Sequence, residues 1–384
     1  MNRSQSHPML AESTLDERER QQFVTQLRGH LASRVVPGNY SVYERRVEPR
    51  FRARHGRSPR HFSEVRAEME QDGYYQFWSA MQRCSQELMW DCVMDPVERQ
   101  LGNLRDKGLA SARKSRQTRG KSKRSGSLQL NPELLVPRYH TAVDIHLQPG
   151  GYHSEFIEDD VAAGVVYDMG LRIYSNGSMG SLNEYLGDLL LGFYRERFSA
   201  QQPKNILDMG CAIGNSTLPW ARAFPTARVA AIDVAAPQLR YAHARAEHLG
   251  VPVHFSQQNA ECTTFADESF DLVISHIMLH ETSKSALNRI LRECHRLLRP
   301  GGIMLHLEVP RGRTVLEQFL YNWESWNNNE TFGQFMTEVN LIQLACQAGF
   351  EAGTVQVVDY AVRREREQRL YSSDTYWKIL LATK

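Results

Sequence analysis

Twelve residues past the midpoint of the chain restrict its fold more than any other stretch: Ile206-Leu207-Asp208-Met209-Gly210-Cys211-Ala212-Ile213-Gly214-Asn215-Ser216-Thr217. An apolar run of strand length ends in a turn of small residues, and helix-forming sequence follows. Glycine and alanine permit the tight turn and let bare main chain approach a ligand. Loops of this kind open parallel α/β sheets that bind nucleotide-like cofactors, dinucleotides among them, so the loop alone does not choose the cofactor.

The sequence downstream keeps the same rhythm. Strand-like runs NILDMG, ARVAAIDV, VHFSQQN, FDLVISH and GIMLHLEV alternate with helical stretches such as 236–249 and 284–298. Repeated βα alternation predicts a parallel sheet covered on both faces. The closing runs TVQVVDYA and TYWKILLATK lie too close together for another right-handed crossover, so an antiparallel pair is expected. The expected fold is therefore α/β: a doubly wound, mostly parallel, Rossmann-like sheet of seven strands with an antiparallel last strand. A helical region precedes it.

The second strand ends in Asp233, 23 residues beyond Gly210. A carboxylate there can accept both hydroxyls of an adenosine ribose, which NAD-binding proteins exploit as well; the plainer alternative is a surface acid at a strand end. Three more segments separate the two possibilities: Asn259-Ala260-Glu261 after the third strand, FADESFDLVISHIMLH around the fourth, and LRECHRLLRPGGIMLHLEV leading into the fifth. With GCAIGNST, these resemble the class I S-adenosylmethionine-dependent methyltransferases, particularly the ubiquinone-methyltransferase-like group called methyltransferase type 11. The resemblance covers residues 184–310 well, the last two strands less well, and the first 130 residues not at all. Ala212 stands where a middle glycine is usual, and Asn259 where Asp is commoner.

The resemblance implies S-adenosylmethionine as cofactor. Asp208 and the amides of Gly210, Cys211, Ala212 and Gly214 would hold its methionine portion, and Asp233 its ribose. Asn259, beside Ala260, would accept from the adenine amino group. Ser275 and His276 would flank the sulfonium and face the acceptor. Methyl transfer from a sulfonium is an in-line displacement that needs alignment, exclusion of water and sometimes removal of a proton. His276, His280 and Glu281 follow the fourth strand and Glu308 the fifth, where ligands of open α/β sheets sit. His280 is the candidate base and His276 a second catalytic candidate; a helix-start or packing role for His280 is the alternative. These residues do not complete a ligand set, so no metal is expected.

The acceptor is expected to be a small molecule methylated on O, N or C. The insertion at about 311–350 is rich in aromatics, and lids of this family offer the model for it. Trp323 and Trp326 are therefore expected to wall an apolar or cationic acceptor, against the alternative that they simply pack. The pre-core segment 129–200 holds Tyr139, His146 and Tyr152 around a Pro-Gly-Gly turn and is expected to supply the opposite wall.

Residues 1–104 read as a helical region, with Phe23, Leu27 and Leu31 on one face of a first helix and a break at Pro37-Gly38-Asn39. A second helical stretch over 61–104 is aromatic, and a packed helical core is expected there. Residues 105–128 read as a basic flexible linker before the methyltransferase domain at 129–384. Nine of the 46 basic residues but only one of the 44 acidic ones fall between Arg105 and Arg124, so the formal charge of +2 hides a net acidic remainder. RNA or protein methylation through the basic run is the alternative function, with a non-catalytic cofactor-binding protein as a third; a nucleic-acid partner is not expected. Six scattered cysteines without a CxxC pair predict reduced thiols. The sequence has no apolar run of about 20 residues and no secretory leader, so no membrane partner and a cytoplasmic location are expected. Oligomeric state is not legible.

Overall fold

A computed structural model describes residues 7–118, 126–310, 312–361 and 376–384. The chain begins with helix α1 (Leu15–His30), whose first turn is closed by a reciprocal Thr14–Glu17 capping box. It continues helically through α2 (Val36–Val42) and α3 (Glu48–His55), joined by π-helical turns at Leu31–Val35 and Tyr43–Val47. The break expected at Pro37-Gly38-Asn39 is absent. Each π turn lies just ahead of a proline, Pro37 or Pro49, and widening the helix there accommodates a residue that has no N–H to give. Gly38 matters for a different reason: a Cβ on it would lie 2.0 Å from the Tyr74 hydroxyl, which donates to the Val35 carbonyl at 2.7 Å.

The buried face of α1 is Val24 and Arg28, continued by Leu31; Phe23, expected inside, is 62% exposed. Helix α4 (Phe62–Met69) precedes α5 (Gly73–Thr118), a helix of 46 residues. Thus the flexible linker expected over 105–128 is corrected as far as Thr118; residues 119–125 lie outside the described residues. Lys, Arg, Ala, Gln and Leu are good helix formers, and burial falls on Leu104, Gly108, Ser111 and Ser115, a helical stripe of mostly small residues. A Cβ on Gly108 would stand 2.9 Å from Val161 Cγ1, so absence of bulk is what lets this stripe pack closely.

After α5 come β1 (Ser127–Gln129), α6 (Arg138–Thr141), α7 (Ala162–Tyr174) and α8 (Tyr185–Arg197). The nucleotide-type core follows: β2 (Asn205–Met209), α9 (Leu218–Ala223), β3 (Arg228–Asp233), α10 (Ala236–His248), β4 (His254–Gln257), β5 (Phe270–His276), α11 (Lys284–Leu297) and β6 (Leu298–Glu308). The chain closes with α12 (Val315–Asn327), α13 (Leu341–Gln347), β7 (Gln356–Tyr360) and β8 (Trp377–Thr383).

The strands form one sheet in the order β1-β4-β3-β2-β5-β6-β8-β7. Every pairing is parallel except those of β8, which runs antiparallel to both β6 and β7. The doubly wound, mostly parallel sheet with an antiparallel last strand is as expected, with β1 as an eighth strand added at the edge. Alternate residues of β2 serve opposite cores: Ile206 joins Trp220 and Tyr194, while Leu207 and Met209 join Leu287, Ile290 and Leu291 of α11. Burial on both faces explains why these strands read as continuous apolar runs. The strand order turns at β2 and β5, and their carboxyl ends open the crevice where such sheets bind ligands.

The N-terminal helices are attached through α12 and, by way of Val24, Met89, Trp90 and Val93, through Val161 and Val165 at α7 and Tyr241 and Ala244 of α10. Phe62, Val65, Met69, Tyr75 and Trp78 share one core with Leu316, Phe319, Leu320 and Trp323. The Trp78 and Trp323 rings are 4.0 Å apart at their centroids, and Trp323 Nε1 donates to Ser79 Oγ at 2.7 Å. Among the described residues no helix is long and apolar enough to cross a membrane.

Candidate functional site

A cavity of about 260 Å³ runs from the turn after β2 to a deeper chamber under α12 and α7. In the outer half the turn is held by its own amides. Those of Gly210 and Cys211 donate to the Ile232 carbonyl at 2.8 and 3.0 Å, and that of Gly214 to the Cys211 carbonyl at 2.8 Å. Ala212 has a left-handed backbone, φ 44°, and donates its amide to Asp233 Oδ2 at 2.9 Å. The expectation that these amides hold a ligand is therefore corrected. What the loop offers instead is close approach at Gly210, where a Cβ would meet Met278 Sδ at 2.6 Å.

Side chains supply the polar atoms. Asp208 accepts from Thr217 Oγ1 through Oδ2 at 2.6 Å, while its buried Oδ1 has no hydrogen-bond partner among the described residues. That oxygen lies 3.5 Å from His276 Nδ1, and neither ring nitrogen of buried His276 is hydrogen bonded. Orphaned buried groups of this kind are costly unless a ligand satisfies them. Asp233 closes its own turn by accepting from the Ala235 amide at 2.9 Å. Burial raises its pKa, against the opposing pull of His140 and the two amides.

Asn259, Ala260 and Cys211 line the same half. Asn259 Oδ1 accepts from the Glu261 amide at 2.9 Å. Two expected residues do not reach the cavity. Ser275 is fully buried in the sheet, 2.6 Å from His306 Nδ1, because its side chain falls on the inner face of β5. Gly214 serves the turn, φ 70°, and faces Phe255.

The deeper half is built around two histidines. His280 Nδ1 lies 2.7 Å from Glu308 Oε2, and Glu308 Oε1 accepts from the Leu279 amide at 2.8 Å. Burial pulls the His280 pKa down, but Glu308, with Glu330 and Glu281 behind it, pushes it up to about 10. That direction favours the protonated ring, a hydrogen-bond donor, over the free base expected of it.

His146 lies on the left-handed side of the backbone map, φ 56°. It is fixed there by its amide, which donates to the Asn328 carbonyl at 2.6 Å, and by its carbonyl, which accepts from Gln86 Nε2 and Trp90 Nε1 at 2.8 Å each. Its Nε2 is 3.3 Å from Glu330 and 3.5 Å from Glu281. Burial opposes its charge, yet these carboxylates raise its pKa overall. Glu281 moves the other way: burial would raise its pKa, and His146, His280 and His140 outweigh that.

Tyr152 lines this half as expected. Tyr139 stands at the other end, its hydroxyl donating to Glu261 Oε1 at 2.9 Å beside Asn259. The two expected tryptophans are corrected. Trp323 belongs to the core shared with the N-terminal helices, and Trp326 is 61% exposed. The face of α12 that looks inward carries Tyr321 and Glu324 instead, continued by its C-cap Asn328, with Glu330 just beyond. Their spacing, 321, 324 and 328, is a helical face of its own, hidden in the sequence among bulkier aromatics. Trp90, Tyr167 and Tyr174 complete the chamber and had no sequence signal beyond being aromatic.

Known proteins share the core. A family model described as "Methyltransferase domain" matches residues 206–302. A malonyl-[acyl-carrier protein] O-methyltransferase of Methylococcus capsulatus is 29% identical over 192 residues, covering 49% of this chain and 63% of that protein. The chain thus spans less than two thirds of that relative's length. An uncharacterized methyltransferase of Synechocystis is 32% identical over 164 residues, 40% of this chain and 70% of that protein. Among solved structures, phosphoethanolamine N-methyltransferase 2 of Haemonchus contortus aligns at 18% identity and a TM-score of 0.42, covering 57% of this chain and 58% of that one.

Proposed function

The chain belongs to the class I S-adenosylmethionine-dependent methyltransferases, and from that premise we propose that it methylates a small-molecule acceptor held in the deeper half of the cavity. One observation carries the proposal: a single cavity joins Asp208 and Asp233 to an enclosed chamber of tyrosines, histidines and carboxylates.

S-adenosylmethionine, when bound, supplies a methyl group already activated on a sulfonium. The residues present fit it. Asp208 Oδ1 and the His276 nitrogens are buried polar atoms without hydrogen-bond partners among the described residues, and Gly210 and Ala212 line the same cavity beside them. Asp208 would hold the amino group of the methionine portion, Asp233 the ribose hydroxyls, and Asn259 with Ala260 the adenine. The protein's further work is alignment and dryness. The 139–153 segment, α12 and Trp90 of α5 enclose the acceptor side, so the N-terminal helices form part of its wall. A proton shed by the acceptor would find Glu324 and Glu330 close by, and burial has raised the affinity of both for protons.

The test is incubation of purified protein with methyl-labelled donor and fractionated cell extract, followed by mass identification of the product. A labelled small molecule is the expected result. Label retained in RNA or protein would contradict it, and donor binding without any methylated product would mark a non-catalytic carrier.

A further inference from the structure

The carboxylates of the deeper chamber are not equally matched by the cations around them. Glu308 is matched by His280 at 2.7 Å, and Glu281 and Glu330 both by His146 at 3.5 and 3.3 Å. Glu324 has only neutral donors: the Tyr174 hydroxyl at 2.8 Å and the Asn328 amide at 3.2 Å, both on Oε1. Its Oε2 has no hydrogen-bond partner among the described residues, although the residue is 5% exposed and lines the cavity. Arg28, the nearest further cation, is held over the Tyr174 ring at 4.7 Å and donates to Ser85 Oγ at 3.2 Å. It acts on Glu324 only through space and makes no ion pair with it among the described residues.

Of these four carboxylates Glu324 is thus the one with no hydrogen-bonded or ion-paired cation among the described residues, and it lines the cavity together with Trp90, Tyr152, Tyr167 and Tyr174. An unmatched buried carboxylate is costly, and electron-rich ring faces favour positive charge. An anionic ligand would add a fifth negative group to the same chamber. We propose that the acceptor carries a positively charged nitrogen, an ammonium or imidazolium, that seats against Glu324 Oε2 among these rings. This rests on reading the chamber as the acceptor side of the methyltransferase.

Three probes of one shape test it by calorimetry: phenethylamine, phenethyl alcohol and phenylacetate. Each is titrated into the full-length protein at neutral pH, with and without S-adenosylhomocysteine. Phenethylamine is expected to bind at least about tenfold more tightly than the alcohol, as a charge-assisted hydrogen bond implies, and phenylacetate more weakly still. Glu324→Gln keeps the shape and should remove most of that preference; Glu330→Gln should shift it in the same direction, which guards against a folding defect in either variant. Equal binding of the three probes, preference for phenylacetate, no binding by any, or a preference untouched by both variants would overturn the proposal. Failure of S-adenosylhomocysteine to bind would instead strike the methyltransferase reading, and the probe titrations without it keep the two failures apart.

Discussion

His280 and Glu308 form a buried pair, Nδ1 to Oε2 at 2.7 Å, beside the deeper half of the cavity. Because the folded pKa of His280, about 10, lies above its ordinary value of 6.5, the sign of the linkage is fixed. The pair's contribution to stability is complete below the unfolded value and is lost as pH rises through the folded one. Melting temperature should therefore decline between those limits in the native protein. In Glu308→Gln that decline should be much smaller, and the His280 ring, followed by NMR, should lose its proton at lower pH. A His280 ring that titrates near its ordinary value in the native protein would contradict this.

Trp323 and Trp326 should separate by role. Trp323→Ala removes a ring packed in the core against Trp78 and should cost about 3–5 kcal/mol in urea unfolding. Trp326→Ala alters an exposed ring beneath Arg83 and should stay within about 0.5 kcal/mol. Strong loss of acceptor turnover from Trp326→Ala alone would return that ring to the acceptor wall.

Gly170→Ala probes the link from α7 to the chamber. Its Cβ would lie 2.4 Å from Trp90 Cζ3, and Trp90 holds the His146 carbonyl. Overpacking of this kind costs about 1–3 kcal/mol. The variant should also raise the acceptor KM while leaving affinity for S-adenosylhomocysteine unchanged, as measured by steady-state kinetics and calorimetry.

Tyr139, His146 and Tyr152 come from one segment but should divide by effect. Tyr139→Phe loses the hydrogen bond to Glu261 beside Asn259, and it should weaken S-adenosylhomocysteine binding by about fivefold, near 1 kcal/mol. His146→Ala and Tyr152→Ala should lower turnover with that affinity intact. The opposite pattern would mean that the cavity's two ends have been exchanged.

The frame of the donor half was legible because its signals are local, although the parts expected of Ser275, Gly214 and the loop amides were not. The strand, the small-residue turn and Asp233 at the next strand's end are fixed by short-range geometry, and each is where the residues implied. The basic helix end was not legible, since its burial rests on Gly108, Ser111 and Ser115, which a count of apolar residues passes over. Phe23 misled for the converse reason: it is apolar but faces out, while Arg28 is drawn inside by Ser85 and the Tyr174 ring. In the chamber, Glu324 and Glu330 are charged residues buried only because distant helices close over them. Nothing near them in the chain announces that.

Calorimetric titration of S-adenosylhomocysteine into the native protein and Asp233→Ala bears on the account most directly. One site should be seen in the native protein, weakened by about tenfold to a hundredfold in the variant, as loss of hydrogen bonds to a charged acceptor implies. No heat with either protein, or equal affinity in both, would contradict it.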